Sequence, residues 1–357
     1  MDPGRLDIRV HCTAGRIAAV AVASSRPQAA LVLRGMGVAQ AVTLVPQLFA
    51  LCGQAQGVAA TAARAAAENE AFVARHDAEV AAEAAQEHLW RLLCDWPREL
   101  GVAPQDAAFV HWRRVLAADP SALVGPDLRN FLDQGLLGMA PGAWLGLSRA
   151  GEFEAWCRES SASAVRLCRA LEADGDDSNE RPVAPLPGLD ANAAASDWPA
   201  LSDAFALRPQ WRGRPRETGA YARRHEDPLL ATLAARPLLA RLVARMQELA
   251  ALTLGDFALP LPGAVTAFPL DEGRGRVLVE TARGLLMHEL TLVGDRIADY
   301  VIVAPTEWNF HPEGALPALL TGCDCTSEAR AATLVRRTVL ALDPCVAHEI
   351  NIDWQAP

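Results

Sequence analysis

Apolar and polar residues alternate over 6–12, and a second run rich in Val, Ile and Ala follows over 16–24, with Ala14-Gly15 between them. A period of two on either side of a small-residue turn predicts a β-hairpin. The same signature recurs near the other end. There 285–292 and 296–303 flank Val293-Gly294-Asp295, and 277–280 is strand-like. Between the hairpins the period is helical. Helices are expected over 39–51 and 55–71, the second so rich in Ala that every face is small. The stretch 79–96 carries Val80, Ala84, Leu89, Leu92 and Leu93 on one apolar face, with Pro97 expected to end it. Further helices are expected over 105–172, broken at Pro120, Gly125-Pro126 and Pro141-Gly142. A long Leu/Ala helix is expected over 227–254 with Pro237 at an early turn or break, and a last helix over 327–342. The sum is an α+β fold, mostly helical, with small antiparallel hairpins near both ends.

Residues 174–196 hold Asp, Pro, Gly, Ser and Ala with little periodicity. They are expected to form an exposed linker or loop. It divides an N-terminal half (1–173) from a C-terminal half (197–357), the two together expected to make one compact domain. A net charge of −10 argues against nucleic acid as a partner. The most apolar stretch, 29–51, is interrupted by Arg34, Gly35, Gly37 and Gln40, so no membrane insertion is expected. The opening Met1-Asp2-Pro3-Gly4-Arg5 does not read as a signal peptide, and the expected location is the cytoplasm. The eight cysteines are then expected to be thiols or ligands rather than disulfides.

Two cysteine stretches carry candidate chemistry. In Asp343-Pro344-Cys345-Val346-Ala347-His348, Cys and His stand three apart, a spacing that suits one metal ion. Far upstream, Cys52-Gly53 falls between two helices. A thiol at a helix N-terminus is expected to have a lowered pKa. A buried free cysteine is also a common small core residue. Other clusters favour structural readings. Cys323 and Cys325 make a poor clamp without partners, and His288 is expected to be a satisfied strand residue. Glu83, Glu87 and His88 fit a salt-bridged face better than a metal site, and Asp343 fits a turn better than a base.

Together the two cysteine stretches resemble the paired Cys-x-x-Cys motifs of the [NiFe]-hydrogenase large subunit, each without its second cysteine, at Ala55 and His348. Other segments resemble that family in the same order. They are Gly4–Ile8 through Gly15-Arg16-Ile17, Arg34-Gly35-Met36-Gly37 and Glu217–Arg223. The most specific is Glu280-Thr281-Ala282-Arg283-Gly284, a hairpin, then Ala304-Pro305-Thr306-Glu307-Trp308-Asn309, against the family's Ala-Pro-Arg-Gly and Val-Pro-Thr-Thr-Trp-Asn. The resemblance implies a large-subunit-like fold.

The departures bear on function. In the family the first cysteine of each pair binds nickel and the second bridges nickel to iron. Both bridging positions are lost here. Pro3 stands where a proton-relaying Glu is found, and Gly37 and Asn351 stand where a Glu and a His serve magnesium. Six residues follow Asn351, so the cleaved C-terminal extension of the family's precursors is expected to be absent. What the resemblance retains is Arg283 and Thr306, whose counterparts lie against the cyanides of the iron.

The combination resembles the HupK/HoxV group of hydrogenase maturation proteins. It implies a non-catalytic scaffold that transiently holds Fe(CN)2(CO), without nickel. The implied metal ligands are Cys52, Cys345 and His348, with Arg283 and Thr306 against the cyanides. Two readings stay open for two of them: His348 could instead bond a backbone carbonyl, and Thr306 could simply cap a strand end. The implied partners are the maturation proteins that assemble the iron fragment, and the hydrogenase large subunit. The alternatives are a metal-free chaperone that mimics the large subunit, a divergent hydrogenase, and a subunit like the complex I relative of this fold.

Overall fold

The computed structural model describes residues 4–49, 51–70, 75–173, 175, 183–187, 198–255 and 261–355. Two sheets bracket a helical core. In the first, β1 (Arg5–Thr13) and β2 (Arg16–Ser24) form the expected antiparallel hairpin. Leu6, Ile8, Val10 and Cys12 all turn to one face and are buried, as the alternation requires. The segment after Cys345 supplies a third strand, β8 (Ala347–Trp354), which runs parallel to β1 in a β2-β1-β8 order. Its register sets Leu6 beside His348 and Ile8 beside Ile350. This strand was not expected. A parallel neighbour comes from a distant part of the chain, and the alternating Ile350, Ile352 and Trp354 are its local signal.

The second sheet is an antiparallel meander. It runs β3 (Arg75–His76), β4 (Ala264–Asp271), β5 (Arg274–Thr281), β6 (Gly284–Val293) and β7 (Arg296–Val303) in spatial order. The alanine-rich helix Gly53–Ala67 lies on one face. The approach is so close that a side chain at Gly275 would run into the backbone of Ala63, Ala66 and Ala67. On the other face Trp198, Trp211 and Trp308 pack against Leu278, Met287 and Val303.

The largest core is helical and draws on residues from 6 to 171 and from 220 to 342, so both halves of the chain build it. At its centre, Pro237–Leu254 is buried at every position from Pro237 to Thr253. Its charged residues are neutralised inside. Arg241 pairs with Glu217, and Glu248 bonds both Arg223 and His88. The helix breaks at Pro120, Pro126, Pro141 and Pro237 fall where the sequence places them.

Pro97 does not end its helix. Ala78–Trp90 passes through a widened turn, Arg91–Asp95, and continues as Trp96–Glu99. Proline removes one amide donor from a helix. Here the carbonyl it would have served, that of Leu93, accepts instead from the Gln105 amide at 2.8 Å. The expected linker at 174–196 lies outside the described residues except for 175 and 183–187. Within the latter, Leu186 is buried and its amide bonds the Glu217 carbonyl at 2.7 Å, so this short piece is packed. Among the described residues no helix is long and apolar enough to cross a membrane.

Candidate metal centre

The segments Glu217–Arg223, Glu280–Gly284 and Ala304–Asn309 interlock beside one cavity. Thr218 accepts the Leu285 amide on its hydroxyl at 2.9 Å and gives its own amide to Asn309 at 2.9 Å. Gly219 and Gly284 both have positive φ, at 106° and 125°. A side chain on Gly284 would strike Thr218, so glycine is what lets these turns meet. The result holds Arg283 and the Ala304–Asn309 segment against the loop that carries Cys345.

Cys52 and Cys345, 293 positions apart in sequence, line the same cavity, and both are free thiols. Cys52 occupies the N-cap of Gly53–Ala67, as expected, but its pKa moves the other way. Burial, the neighbouring Cys345 and the Glu83 carboxylate push it up to about 12, against Arg283 and a Gln56 contact at 3.7 Å. The helix end is already occupied. Glu83 accepts the amides of Gln54 at 2.9 Å and Ala55 at 3.1 Å, so its charge offsets the helix dipole that would have favoured a thiolate. Burial in turn lifts Glu83 to about 7.

Cys345 is set by what precedes it. Asp343 takes a left-handed conformation with φ of 54° at the C-cap of Glu328–Leu342, and Pro344 forbids the helix from continuing. Thr306 then holds the cysteine twice. Its hydroxyl donates to Cys345 Sγ at 3.1 Å and accepts the Cys345 amide at 3.1 Å. Thr306 is 1% exposed and is not on the cavity wall, and its one hydroxyl proton is spent on sulfur. It therefore positions the Cys345 thiol. Arg283 does line the cavity. It pairs with Glu87 and, at 3.3 Å, with Asp343. Burial opposes its charge, but Asp343 and Glu87 more than compensate and raise its pKa.

His348 is not with the cysteines. It lies on β8 and lines a separate cavity with Arg91, Arg98, Arg336 and Pro344. The three-residue separation that suits a ligand pair becomes, in a strand, an extended span that carries His348 into register with Leu6. Among the described residues no three of His, Cys, Asp and Glu stand close enough together to hold a metal ion. Of the three side chains expected to bind metal, the fold brings two, Cys52 and Cys345, to one cavity.

Residues whose sequence context favours structural roles also surround the site. Asp343 is indeed a turn residue, but its buried carboxylate also faces Arg91, Arg245 and Arg283. Glu83 and Glu87 line the cavity, while His88 is buried on the helix side between Glu248 and Arg245. Glu83, Glu87 and Arg91 recur every four residues, so their shared face was available from sequence. Arg26 also lines the cavity and pairs with Glu307, a contact across 281 positions that no local pattern signals. His288 is satisfied by Tyr300 and Gln56, both at 2.9 Å, and Cys323 donates to the Leu319 carbonyl.

The family model for nickel-dependent hydrogenase matches residues 222–350. The chain is 34% identical to the hydrogenase expression/formation protein HoxV of Cupriavidus necator, covering 92% of each chain. It is 32% identical to the hydrogenase expression/formation protein HupK of Rhizobium leguminosarum bv. viciae, over 99% of this chain and 97% of that one. In fold it is similar to the Ni-Fe-Se hydrogenase from D. vulgaris Hildenborough in its oxidized state, with a TM-score of 0.59 at 15% identity, over 93% of this chain and 94% of that one. That likeness concerns the fold alone. With a third of its residues shared along nearly its whole length, the chain belongs to the HupK/HoxV family of hydrogenase expression/formation proteins.

Proposed function

We propose that this protein is a non-catalytic accessory in [NiFe]-hydrogenase maturation and that its cavity holds Fe(CN)2(CO) in transit. The observation that carries the reading is the pairing of Cys52 and Cys345 on one cavity with two guanidinium groups, Arg26 and Arg283. Two thiols are too few to satisfy a bare iron ion. They suffice for an iron that arrives with three ligands of its own. Each thiol loses its proton to solvent as its Fe–S bond forms, and the two cations then face two thiolates and two cyanides. Phe49, Leu51, Val80 and Leu286 keep the walls largely apolar, which strengthens those contacts. A protonated resting thiol at Cys52 suits a carrier, since release only requires the proton to return.

The donors and recipients that fit are the maturation proteins that build the iron fragment, and the hydrogenase large subunit. Complementation tests the reading. In a strain lacking the gene, Cys52→Ser and Cys345→Ser should fail to restore hydrogen uptake, because a neutral hydroxyl is a far poorer iron ligand than a thiolate. Full complementation by both, with loss only on disrupting a surface patch, would replace cargo binding with a metal-free chaperone role. Stoichiometric nickel with hydrogen uptake by the purified protein would instead make it a divergent hydrogenase.

A further inference from the structure

Arg26 carries the second positive charge on the cavity that holds Cys52 and Cys345. It lies two residues past the end of β2. Its Nη1 bonds Glu307 Oε1 at 2.9 Å, and both side chains are largely buried, at 13% and 10% exposed. Arginine keeps its proton in proteins, so Arg26 is a cation in a place where a cation is costly.

The two arginines on this cavity are held differently. Arg283 is clasped by two carboxylates, Glu87 and Asp343. Arg26 pairs with Glu307. A guanidinium has five N–H donors in a planar fork, so one such pair leaves others for a ligand. Arg26 also stands on the partition between this cavity and a neighbouring one, with Phe49 and Ala304 shared by both walls. Glu307 occupies the position where the resembled motif has a second threonine, so the carboxylate that holds Arg26 is a feature of this chain.

We propose that Arg26 is a specificity-determining residue, aimed by Glu307, that makes the Cys52–Cys345 cavity a binding site for a small linear anion of the pseudohalide class. The proposal rests on reading this cavity as a cargo site, and it assigns places to the cargo's ligands. Two anionic diatomics would each meet one guanidinium, one at Arg26 and one at Arg283. A neutral carbonyl gains little from a cation and is left to the apolar wall. Arg26 would thereby fix which way round the fragment sits.

Thiocyanate is the probe, because it is a linear anion whose C≡N stretch is visible by infrared spectroscopy. It is titrated into the purified full-length protein at constant ionic strength. The wild type should show a saturable, shifted band. Arg26→Met should weaken that binding roughly 10- to 150-fold, the loss of one charge-assisted hydrogen bond. Arg26→Lys should recover part of it. Glu307→Gln keeps an acceptor for Arg26 but removes the competing charge, so binding should tighten several-fold. The Glu307→Gln variant keeps the test decisive if Arg26→Met does not fold. Absence of a saturable site in the wild type, or equal affinity in wild type and Arg26→Met, overturns the proposal. So does unchanged binding in Glu307→Gln. The same variants, purified anaerobically from hydrogenase-producing cells, separate the two levels of inference. Arg26-dependent thiocyanate binding without cyanide or carbonyl bands would leave the anion site standing and remove the cargo. Cyanide bands that do not move in Arg26→Lys, beside thiocyanate binding indifferent to Arg26, would keep the cargo and remove Arg26.

Discussion

Replacing Asp343 by Asn should cost more stability than any other isosteric change at the site. The carboxylate is 2% exposed and faces three guanidinium groups. Arg91 donates through Nε at 2.8 Å, and its Nη2 lies 2.7 Å from the same oxygen. Arg245 Nη1 is 3.0 Å from the other oxygen, at an angle outside hydrogen-bond geometry, and Arg283 Nε is at 3.3 Å. Arg91 and Arg283 have second carboxylates, Asp95 and Glu87. Asp343 is the carboxylate that pairs with Arg245, whose pKa burial already lowers. The amide would therefore strip Arg245 of its paired carboxylate, leaving a buried guanidinium favoured by Glu248, which is itself bonded to Arg223 and His88.

Removing one partner of a buried pair costs about 3–5 kcal/mol. At about 2.1 cal/mol/K of unfolding entropy per residue, a 357-residue chain shifts by roughly 1.3 °C per kcal/mol, so the melting temperature should fall by about 4–7 °C. Asn accepts a left-handed backbone as readily as Asp, so the loss would report charge and not the turn. The pH dependence gives an independent check. Burial opposes the Asp343 charge, but Arg283, Arg91 and Arg245 hold its pKa well below the usual carboxylate range. A depressed pKa contributes stability above the unfolded value, near 3.9, that is lost as pH falls through the folded one. The gap between wild type and variant should then be constant at neutral pH and close below about pH 4. Thermal and urea melts followed by circular dichroism measure this. A loss under about 1 kcal/mol at pH 7, the scale of an exposed pair, would refute the reasoning. So would a failure of Arg245→Met to recover stability in the Asp343→Asn background.

Gly275→Ala should lower stability by about 1–3 kcal/mol or more, the usual cost of overpacking, because the new methyl meets helix backbone that cannot step aside; a melt with unchanged midpoint would show the helix free to shift. Glu83→Gln should speed alkylation of Cys52 by iodoacetamide at pH 8, since it removes a charge that holds the thiol protonated; peptide mass spectrometry reads the rate. The same variant should flatten the stability profile between about pH 4.5 and 7. Glu83 titrates higher folded than unfolded, so the wild type loses stability as pH rises through that window. Thr306→Val should cost roughly 1–3 kcal/mol by leaving the Cys345 amide without its acceptor, and Thr306→Ser should restore it, measured in the same melts.

The fold was legible where local patterns rule. Alternation with Ala14-Gly15 gave β1 and β2, Gly294 marked the turn between β6 and β7, and prolines set the helix breaks. β4 was hidden because Pro269 argues against a strand, and the structure admits it at an irregularity in the β4–β5 register. β8 was hidden because its residues were read as a ligand motif, although Ile350, Ile352 and Trp354 alternate. Cys52, Cys345 and Arg283 were singled out because several short segments match one family in order, and the fold places all three on one cavity. What escaped was what the fold brings together. The Glu83 carboxylate reaches the Cys52 helix end from another helix and reverses the sign expected of its pKa. Asp343 gathers arginines from three separate segments, and Arg26 reaches Glu307 across the chain. His348 was misplaced because a three-residue interval was read without knowing that it would be a strand.

Infrared spectroscopy of the protein purified anaerobically from hydrogenase-producing cells tests the central claim most directly. Cyanide and carbonyl stretches fall in a window that protein groups leave empty. A loaded cavity predicts two cyanide bands and one carbonyl band. They should shift when the cells are supplied with 13C-labelled precursors of those ligands, and vanish in Cys52→Ser and Cys345→Ser. An empty window in wild-type protein that complements fully, from cells whose hydrogenase large subunit shows all three bands, would contradict the account.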